Sequence, residues 1–257
     1  MIDRPLFSVA GKTVLVTGGS SGLGLRMVRL LAGHGANVVS LALTLPAEEA
    51  NVGEVNAEPP GEVHNIIADV TDPDDIERAF DETERRFGVA TIVFNNAGIA
   101  NRARALDTDR KMLRHILDIN VEAAFFVACE AARRMIAAGE GGSIVNSSSI
   151  LAELPVKGSA AYAISKAAVT QMTRSLALEW AANDIRVNAI APGWFPTRLN
   201  EDVMQGPAMG FFKGRNPMRR LGDPQDIDGA VLMLASDASR YMTGTVITID
   251  GGHSLHG

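Results

Sequence analysis

Short apolar runs alternate with amphipathic stretches along almost the whole chain. The runs at residues 12–17 (KTVLVT), 37–43, 63–68, 90–94, 143–146, 185–190 and 245–249 read as strands. Between them, residues 23–34 have helical spacing. Thr71, Asp72 and Pro73 supply an N-cap and a first-turn proline for a helix to Phe87. Further helical stretches cover 107–138, 159–182 and 224–235. Apolar strands alternating with amphipathic helices predict a parallel sheet covered on both faces. Seven strand candidates favour a Rossmann-like, doubly wound α/β sheet over an eight-unit barrel, and residues 1–257 read as a single domain. The one irregular stretch, 47–61, carries two adjacent prolines and scattered glutamates, and reads as a surface excursion. In such folds ligands sit at the carboxyl ends of the strands, so functional residues are expected just after them.

Composition narrows the function classes. Hydrophobic residues make up 46% of the 257, enough for a substantial core, yet no apolar run reaches the roughly 18 residues that span a membrane. A net charge of −6 argues against a nucleic-acid partner. The single cysteine, Cys129, cannot form an intrachain disulfide and fits a reducing compartment. Residues 1–8 show no basic segment leading into an apolar stretch, so the chain reads as cytoplasmic. His34, His64, His115, His253 and His256 form no ligand set with Cys129, so no metal is expected, and the His253/His256 pair reads as incidental.

Strand one runs into Thr17-Gly18-Gly19-Ser20-Ser21-Gly22-Leu23-Gly24 before a helix. Glycines let backbone approach a pyrophosphate, and a helix N-terminus offers free N–H groups and partial positive charge. The spacing T-G-x-x-x-G-x-G differs from the common dinucleotide fingerprint. Asp69-Val70, Asn95-Asn96-Ala97-Gly98, Asn120, Ser147-Ser148-Ser149, Tyr162-x-x-x-Lys166, Pro192-Gly193 with Thr197, and Asp250-Gly251-Gly252 then follow in order. In this set of motifs the chain resembles the short-chain dehydrogenase/reductase family, in its branch of about 250-residue single-domain members, from Gly11 to Gly252.

The resemblance implies an NAD(P)(H)-dependent oxidoreductase moving a hydride between nicotinamide and a carbonyl or secondary alcohol. It implies cofactor contacts from Thr17, Gly18, Ser20, Ser21, Gly22, Leu23 and Gly24 in the turn and from Asp69 and Val70 at the adenine. Asn95, Asn96, Ala97 and Gly98 would line the cleft, and Pro192, Gly193 and Thr197 would lie by the nicotinamide. Asp69 could instead cap a turn. A serine thirteen residues before the tyrosine selects Ser149 as the hydroxyl that holds the substrate oxygen, with Ser147 and Ser148 as competitors. Asn120 corresponds to the asparagine that supports a water-linked proton path, or else is a buried, helix-kinking polar residue. Where the family often carries glycine three residues after the serine, this chain has Ala152.

Tyr162 and Lys166, four apart on a helix, share one face. A free tyrosine titrates near 10, and a cation about 4 Å away lowers that by roughly three units at intermediate dielectric. Lys166 is therefore expected to bring Tyr162 towards working pH as general acid and base. The resemblance also implies that Lys166 holds the nicotinamide ribose. At the end of strand two, where a carboxylate would select NAD, stand Ala42, Leu43 and Thr44. The missing repulsion leans towards NADP(H), with Thr44 as a phosphate contact; NAD stays open, since Glu48 and Glu49 lean the other way if they fold close.

The segment 194–218 holds Trp194, Phe195, Met204, Met209, Phe211 and Phe212, with Gly206, Pro207, Gly210 and Gly214. It reads as a lid favouring an apolar ketone or 3-oxoacyl chain, or as a segment packed onto its own domain or a neighbouring subunit. Lys157, Arg198, Lys213 and Arg215 keep an anionic head group open. A sugar, polyol or sugar-acid dehydrogenase is the alternative, and a non-catalytic cofactor sensor the alternative of another class. Apolar residues on more than one face of 107–138 and 159–182, with the family resemblance, imply a homotetramer.

Overall fold

The computed structural model describes residues 5–46, 60–197 and 208–255, the last without the side chains at 208, 209 and 211. Glu48, Glu49, Arg198, Met204, Gly206, Pro207 and His256, and the side chains of Met209 and Phe211, lie outside the described residues. Seven strands form one parallel sheet: β1 (Thr13–Thr17), β2 (Asn37–Ala42), β3 (Val63–Ile67), β4 (Ile92–Asn95), β5 (Gly142–Ser147), β6 (Ile185–Pro192) and β7 (Val246–Ile249). Their order is β3-β2-β1-β4-β5-β6-β7. The direction of winding reverses between β1 and β4, and the carboxyl ends there open a crevice for ligands.

Alternate residues of the central strands enter two cores. Leu15, Leu41, Val93, Ile144 and Val187 pack against α2 (Pro73–Phe87), α4 (Ala124–Ala138) and α5 (Ala160–Trp180). Val14, Val16, Phe94, Val145 and Ile190 pack on the other face against α1 (Gly22–Gly33) and α7 (Asp228–Ala235). Strand β1 is buried throughout, which explains its apolar run without strict polar alternation. Each large side chain so buried is worth about 1.5–3 kcal/mol.

Helix α2 starts as its sequence predicts. Asp72 accepts from Asp74 N at 3.0 Å, Pro73 follows, and Asp74 and Asp75 at the start with Arg85 and Arg86 at the end complement the helix dipole. The expected mostly helical stretch over 107–138 is helical from Arg110 to Ala138, with one irregular turn inside it. A 3₁₀ turn, Ala105–Asp107, precedes α3 (Arg110–Leu117), whose N-cap Asp109 accepts from Met112 N at 2.7 Å. A π-type turn, Asp118–Ala123, then joins α3 to α4. The residues buried across that turn, Ile116, Asn120, Ala123 and Val127, keep three- and four-residue spacing, so the sequence pattern runs on as one helix. The helix expected over 224–235 opens with a 3₁₀ turn, Pro224–Ile227, under a capping box from Asp223 and Asp226. Within the lid segment, Ala208–Arg215 forms α6.

Candidate active site

The glycine turn leaves β1 and enters α1 in one tight bend. Gly18 has φ +67°, and a Cβ there would lie 2.9 Å from Ala97 Cα. A Cβ on Gly24 would strike the Gly18 carbonyl oxygen and the Asn96 amide. Glycine at these two places lets turn, helix and β4 loop close on one another. The N-cap Ser21 makes no side-chain cap bond, and the first turn of α1 holds no acidic residue. Leu25 N closes the first turn on Ser21 O at 3.1 Å, and the N–H groups before it, uncapped by the Ser21 side chain, suit an anion. This donor set fits a dinucleotide pyrophosphate.

Thr17 and Asn96 lock this turn to the end of β4. Thr17 Oγ1 accepts from Asn96 N and Ala97 N, both at 3.0 Å, and Asn96 Nδ2 donates to Thr17 O at 3.1 Å and Gly18 O at 3.3 Å. Thr17 is 2% exposed, so its side chain braces the two strand ends. Ala42 closes β2 and Thr44 is exposed beyond it. Asp69 Oδ1 accepts from Thr71 N at 2.9 Å and Thr71 Oγ1 at 2.7 Å, which is the turn-capping geometry; Val70 packs on the core edge.

Ser21, Gly22, Leu23, Gly24, Asn96, Gly98, Ser147, Ser148, Ser149, Tyr162, Lys166, Pro192, Gly193 and Thr197 line a single cleft. Thr17, Gly18, Ser20, Ala97 and Asn120 stand just behind these walls or alongside them, Asn95 is buried with its amide turned to Ala124 and Asn146 and does not line the cleft, and Ala42, Thr44, Asp69 and Val70 lie at the β2 and β3 ends, outside it. The three serines divide their tasks. Ser147 offers its carbonyl to Lys166 Nζ at 2.7 Å. Ser148 is tied to α5 through Lys166 O at 3.2 Å and Thr170 Oγ1 at 2.8 Å. The Ser149 side chain lies near enough to Tyr162 to pull its phenol down, and its Oγ accepts from Leu151 N at 3.2 Å. Ala152, in the turn Ile150–Ala152, donates its N–H to Ser149 O at 3.0 Å, so the glycine-free loop still closes behind the serine.

The electrostatics differ from the expectation at the pair Tyr162–Lys166. Burial pushes the Tyr162 phenol up to about 12, against the smaller downward pull of the Ser149 hydrogen bond. Burial also pushes Lys166 down to about 8. Lys166 Nζ sits 5.6 Å from the Tyr162 ring centroid and spends a proton on Ser147 O, so desolvation outweighs Coulomb attraction here. Asn120 is buried in the wide turn. Its Oδ1 accepts from Ile99 N at 2.8 Å; its Nδ2 donates to Ile99 O at 2.9 Å and Ser165 Oγ at 3.0 Å. Ser165 in turn donates to Tyr162 O at 2.7 Å. A Cβ on Gly98 would lie 3.1 Å from Asn120 Oδ1 and 3.5 Å from Lys166 Nζ, so these two polar ends face one narrow space.

The wall after β6 is held by the C-terminal motif. Gly193 N donates to Ile249 O at 2.9 Å. Asp250, where burial pushes the carboxyl up but bonds from Ser254 and Gly252 together hold it below the usual range, caps the turn that carries His253. His253 is not incidental: its Nε2 accepts from Trp194 Nε1 at 3.2 Å. Trp194 stacks on Phe212 at 3.9 Å, and Phe195 and Phe212 are buried. The described aromatic residues of the lid segment therefore pack onto their own domain. The His253 contact, the Ser147 anchor and the Ser165 bridge carry no spacing signal, because each joins elements remote in sequence or uses main-chain atoms.

A glycine-turned nucleotide cradle beside a serine–tyrosine–lysine cluster, on the carboxyl edge of a parallel sheet, defines a nucleotide-dependent oxidoreductase. A family model described as enoyl-(acyl carrier protein) reductase matches residues 18–254. The chain is 36% identical over 254 residues to the gluconate 5-dehydrogenase of Gluconobacter oxydans, covering 98% of each. It is 35% identical to a 3-oxoacyl-[acyl-carrier-protein] reductase of Thermotoga maritima, covering 94% of this chain and 97% of the other. A solved gluconate 5-dehydrogenase from Burkholderia cenocepacia, in complex with NADP and tartrate, superposes with a TM-score of 0.88 at 32% identity, covering 97% and 98%. The chain belongs to the short-chain dehydrogenase/reductase family, and is an NAD(P)(H)-dependent oxidoreductase that interconverts carbonyls and secondary alcohols.

Proposed function

We propose that this chain prefers NADP(H) and reduces a ketone or 3-oxoacyl carbonyl, with Ser149, Tyr162 and Lys166 as its catalytic residues and Asn120 supporting them. The supporting observation is that Ser149, Tyr162 and Lys166 line one cleft with the first turn of α1, Gly193 and Thr197. Ser21 to Gly24 would hold the pyrophosphate, Lys166 the nicotinamide ribose, Asp69 and Val70 the adenine end, and Thr44 a ribose phosphate. Among the described residues after β2, from Leu43 to Pro46, no carboxylate stands to repel that phosphate. The bound nicotinamide supplies the hydride. Ser149 and Tyr162 bind the carbonyl oxygen, and Tyr162 gives it a proton. Burial keeps the phenol protonated well above neutral pH, the state that reduction needs. Orientation in such a cleft contributes about 7–11 kcal/mol to lowering the barrier.

A second reading, a sugar-acid dehydrogenase, is favoured by one observation. Arg102, Arg104 and Lys157 are exposed and, among the described residues, none forms an ion pair. Their loops are joined by Ala103 N to Gly158 O at 3.1 Å, between Gly98 and Tyr162 of the cleft. Such a cationic rim suits a carboxylate. The test is initial rates of nicotinamide absorbance change with NADPH and NADH on a series of 3-oxoacyl esters of increasing chain length, and with NADP and NAD on sugar acids and matched neutral polyols. Higher efficiency along the ester series with NADPH supports the main reading. A preference for sugar acids over their neutral counterparts, lost in the Arg102→Ala/Arg104→Ala/Lys157→Ala variant, transfers the assignment to the second.

The chain acts in the cytoplasm as a homotetramer in this proposal. No helix of the described residues is long and apolar enough to cross a membrane. Phe125, Phe126 and Ile136 on α4 and Ile164 and Leu178 on α5 stand exposed, a face that a second copy would cover.

A further inference from the structure

A buried amide chain runs under the active site and ends at the wide turn. Thr173 donates its hydroxyl proton to Val169 O at 2.8 Å, so towards Asn146 it can only accept. Asn146 must then present Nδ2 to Thr173, at 2.9 Å, and Oδ1 to Asn95. Asn95 must present Nδ2 in turn, to Asn146 Oδ1 at 3.0 Å and to the carbonyl of Ala124 at 2.9 Å. The orientation of all three side chains is thereby set. It leaves Asn95 Oδ1, in a residue only 4% exposed, without a protein hydrogen-bond partner. The fold tolerates that cost to keep the Asn95 amide donor on Ala124.

Ala124 is the first residue after the π-type turn Asp118–Ala123, and that turn carries Asn120. Asn120 grips Ile99 through both main-chain atoms and reaches Ser165, and its Oδ1 and Lys166 Nζ flank Gly98. We infer that Asn95 is a positioning residue: by holding the Ala124 carbonyl it keeps the wide turn in place, and so sets Asn120 against Gly98 and Lys166. This rests on the proposed role of Asn120 and Lys166. Asn95 also bridges β4 to β5 through Asn146, but that arm leads to α5 and not to the turn.

The two arms can be separated. Thr173→Val breaks the Asn146 arm alone, whereas Asn95→Ala breaks both. Asn95→Ala is expected to lower kcat at least tenfold with KM for cofactor within about threefold. It is also expected to speed amide hydrogen exchange at least tenfold at Ile99 and through 118–123. Thr173→Val lowers the melting temperature but leaves kcat and exchange at those sites within about threefold of wild type. Asn95→Ser, which keeps a hydroxyl for the Ala124 carbonyl, recovers part of the loss and carries the test should the alanine variant not fold. Equal kcat and equal exchange in the Asn95 and Thr173 variants would overturn the inference. Tyr162→Phe, run alongside, tells the two failures apart: activity retained there overturns the catalytic reading itself, whereas loss there with no Asn95 effect overturns the positioning role only.

Discussion

At the scale of single residues, the cluster was legible in the sequence where a helix sets the geometry. Tyr162 and Lys166 share a helical face whatever surrounds them, and the resemblance singled out Ser149. Their proton affinities were not legible, because desolvation is a property of the packed site. Lys166 titrates near 8 when folded and near 10.5 when free, so the unfolded chain binds more protons between those values. Its contribution to stability therefore rises with pH from about 8 to 10.5. Tyr162, near 12 folded against 10.0, binds more protons folded and works the other way from about 10 to 12. Thermal melts of wild type and Lys166→Met across pH 7 to 10 (on the order of one buried lysine's titration) should show the wild type gaining on the variant as pH rises. A constant difference contradicts the burial-depressed lysine. In turnover, reductive kcat/KM, which reports the free enzyme, is expected to fall as pH climbs through about 8 while the phenol stays protonated. A pH–rate profile in which that limb survives Lys166→Met assigns it to another group.

At the scale of elements, all seven strands and the helices over 23–34, 71–87 and 159–182 follow the apolar periodicity, with ends displaced by one or two residues. Two features did not show. The wide turn at Asp118–Ala123 preserves an almost continuous apolar stripe, so periodicity cannot report it. Helix α6 is rich in glycine and has no amphipathic stripe; it is fixed by Phe212 against Trp194, a tertiary contact. The glycine turn has a sharper consequence. Gly24→Ala places a methyl group against the Gly18 carbonyl and the Asn96 amide. Overpacking of this kind costs about 1–3 kcal/mol. The variant is expected to melt several degrees lower and to bind NADPH at least tenfold more weakly by fluorescence titration. Unchanged affinity would remove the turn from the cofactor site. On α2, Phe80 is 2% exposed in the core, and Phe80→Ala should cost about 3–5 kcal/mol in urea unfolding with little change in the active site.

At the scale of the whole molecule, the doubly wound order follows from alternation and short connections, and it places the glycine turn, the β4 loop, the serines and Gly193 on one edge. The proposed assembly rests on surplus apolar residues on the two long helices. Phe125 and Phe126, edge to face at 5.4 Å and exposed, form the centre of that surplus on α4. Light scattering is expected to give a species four times the 27.2 kDa chain mass, and Phe126→Asp to give a smaller one. A stable 27.2 kDa wild-type species at micromolar concentration contradicts the tetramer. The central claim, proton donation by Tyr162 within an NADP(H) site, is tested most directly by single-turnover reduction with Tyr162→Phe. The variant should bind NADPH as wild type does while the chemical step slows at least about 100-fold, the usual worth of a general acid. A single-turnover rate near wild type, with NADPH bound, contradicts it.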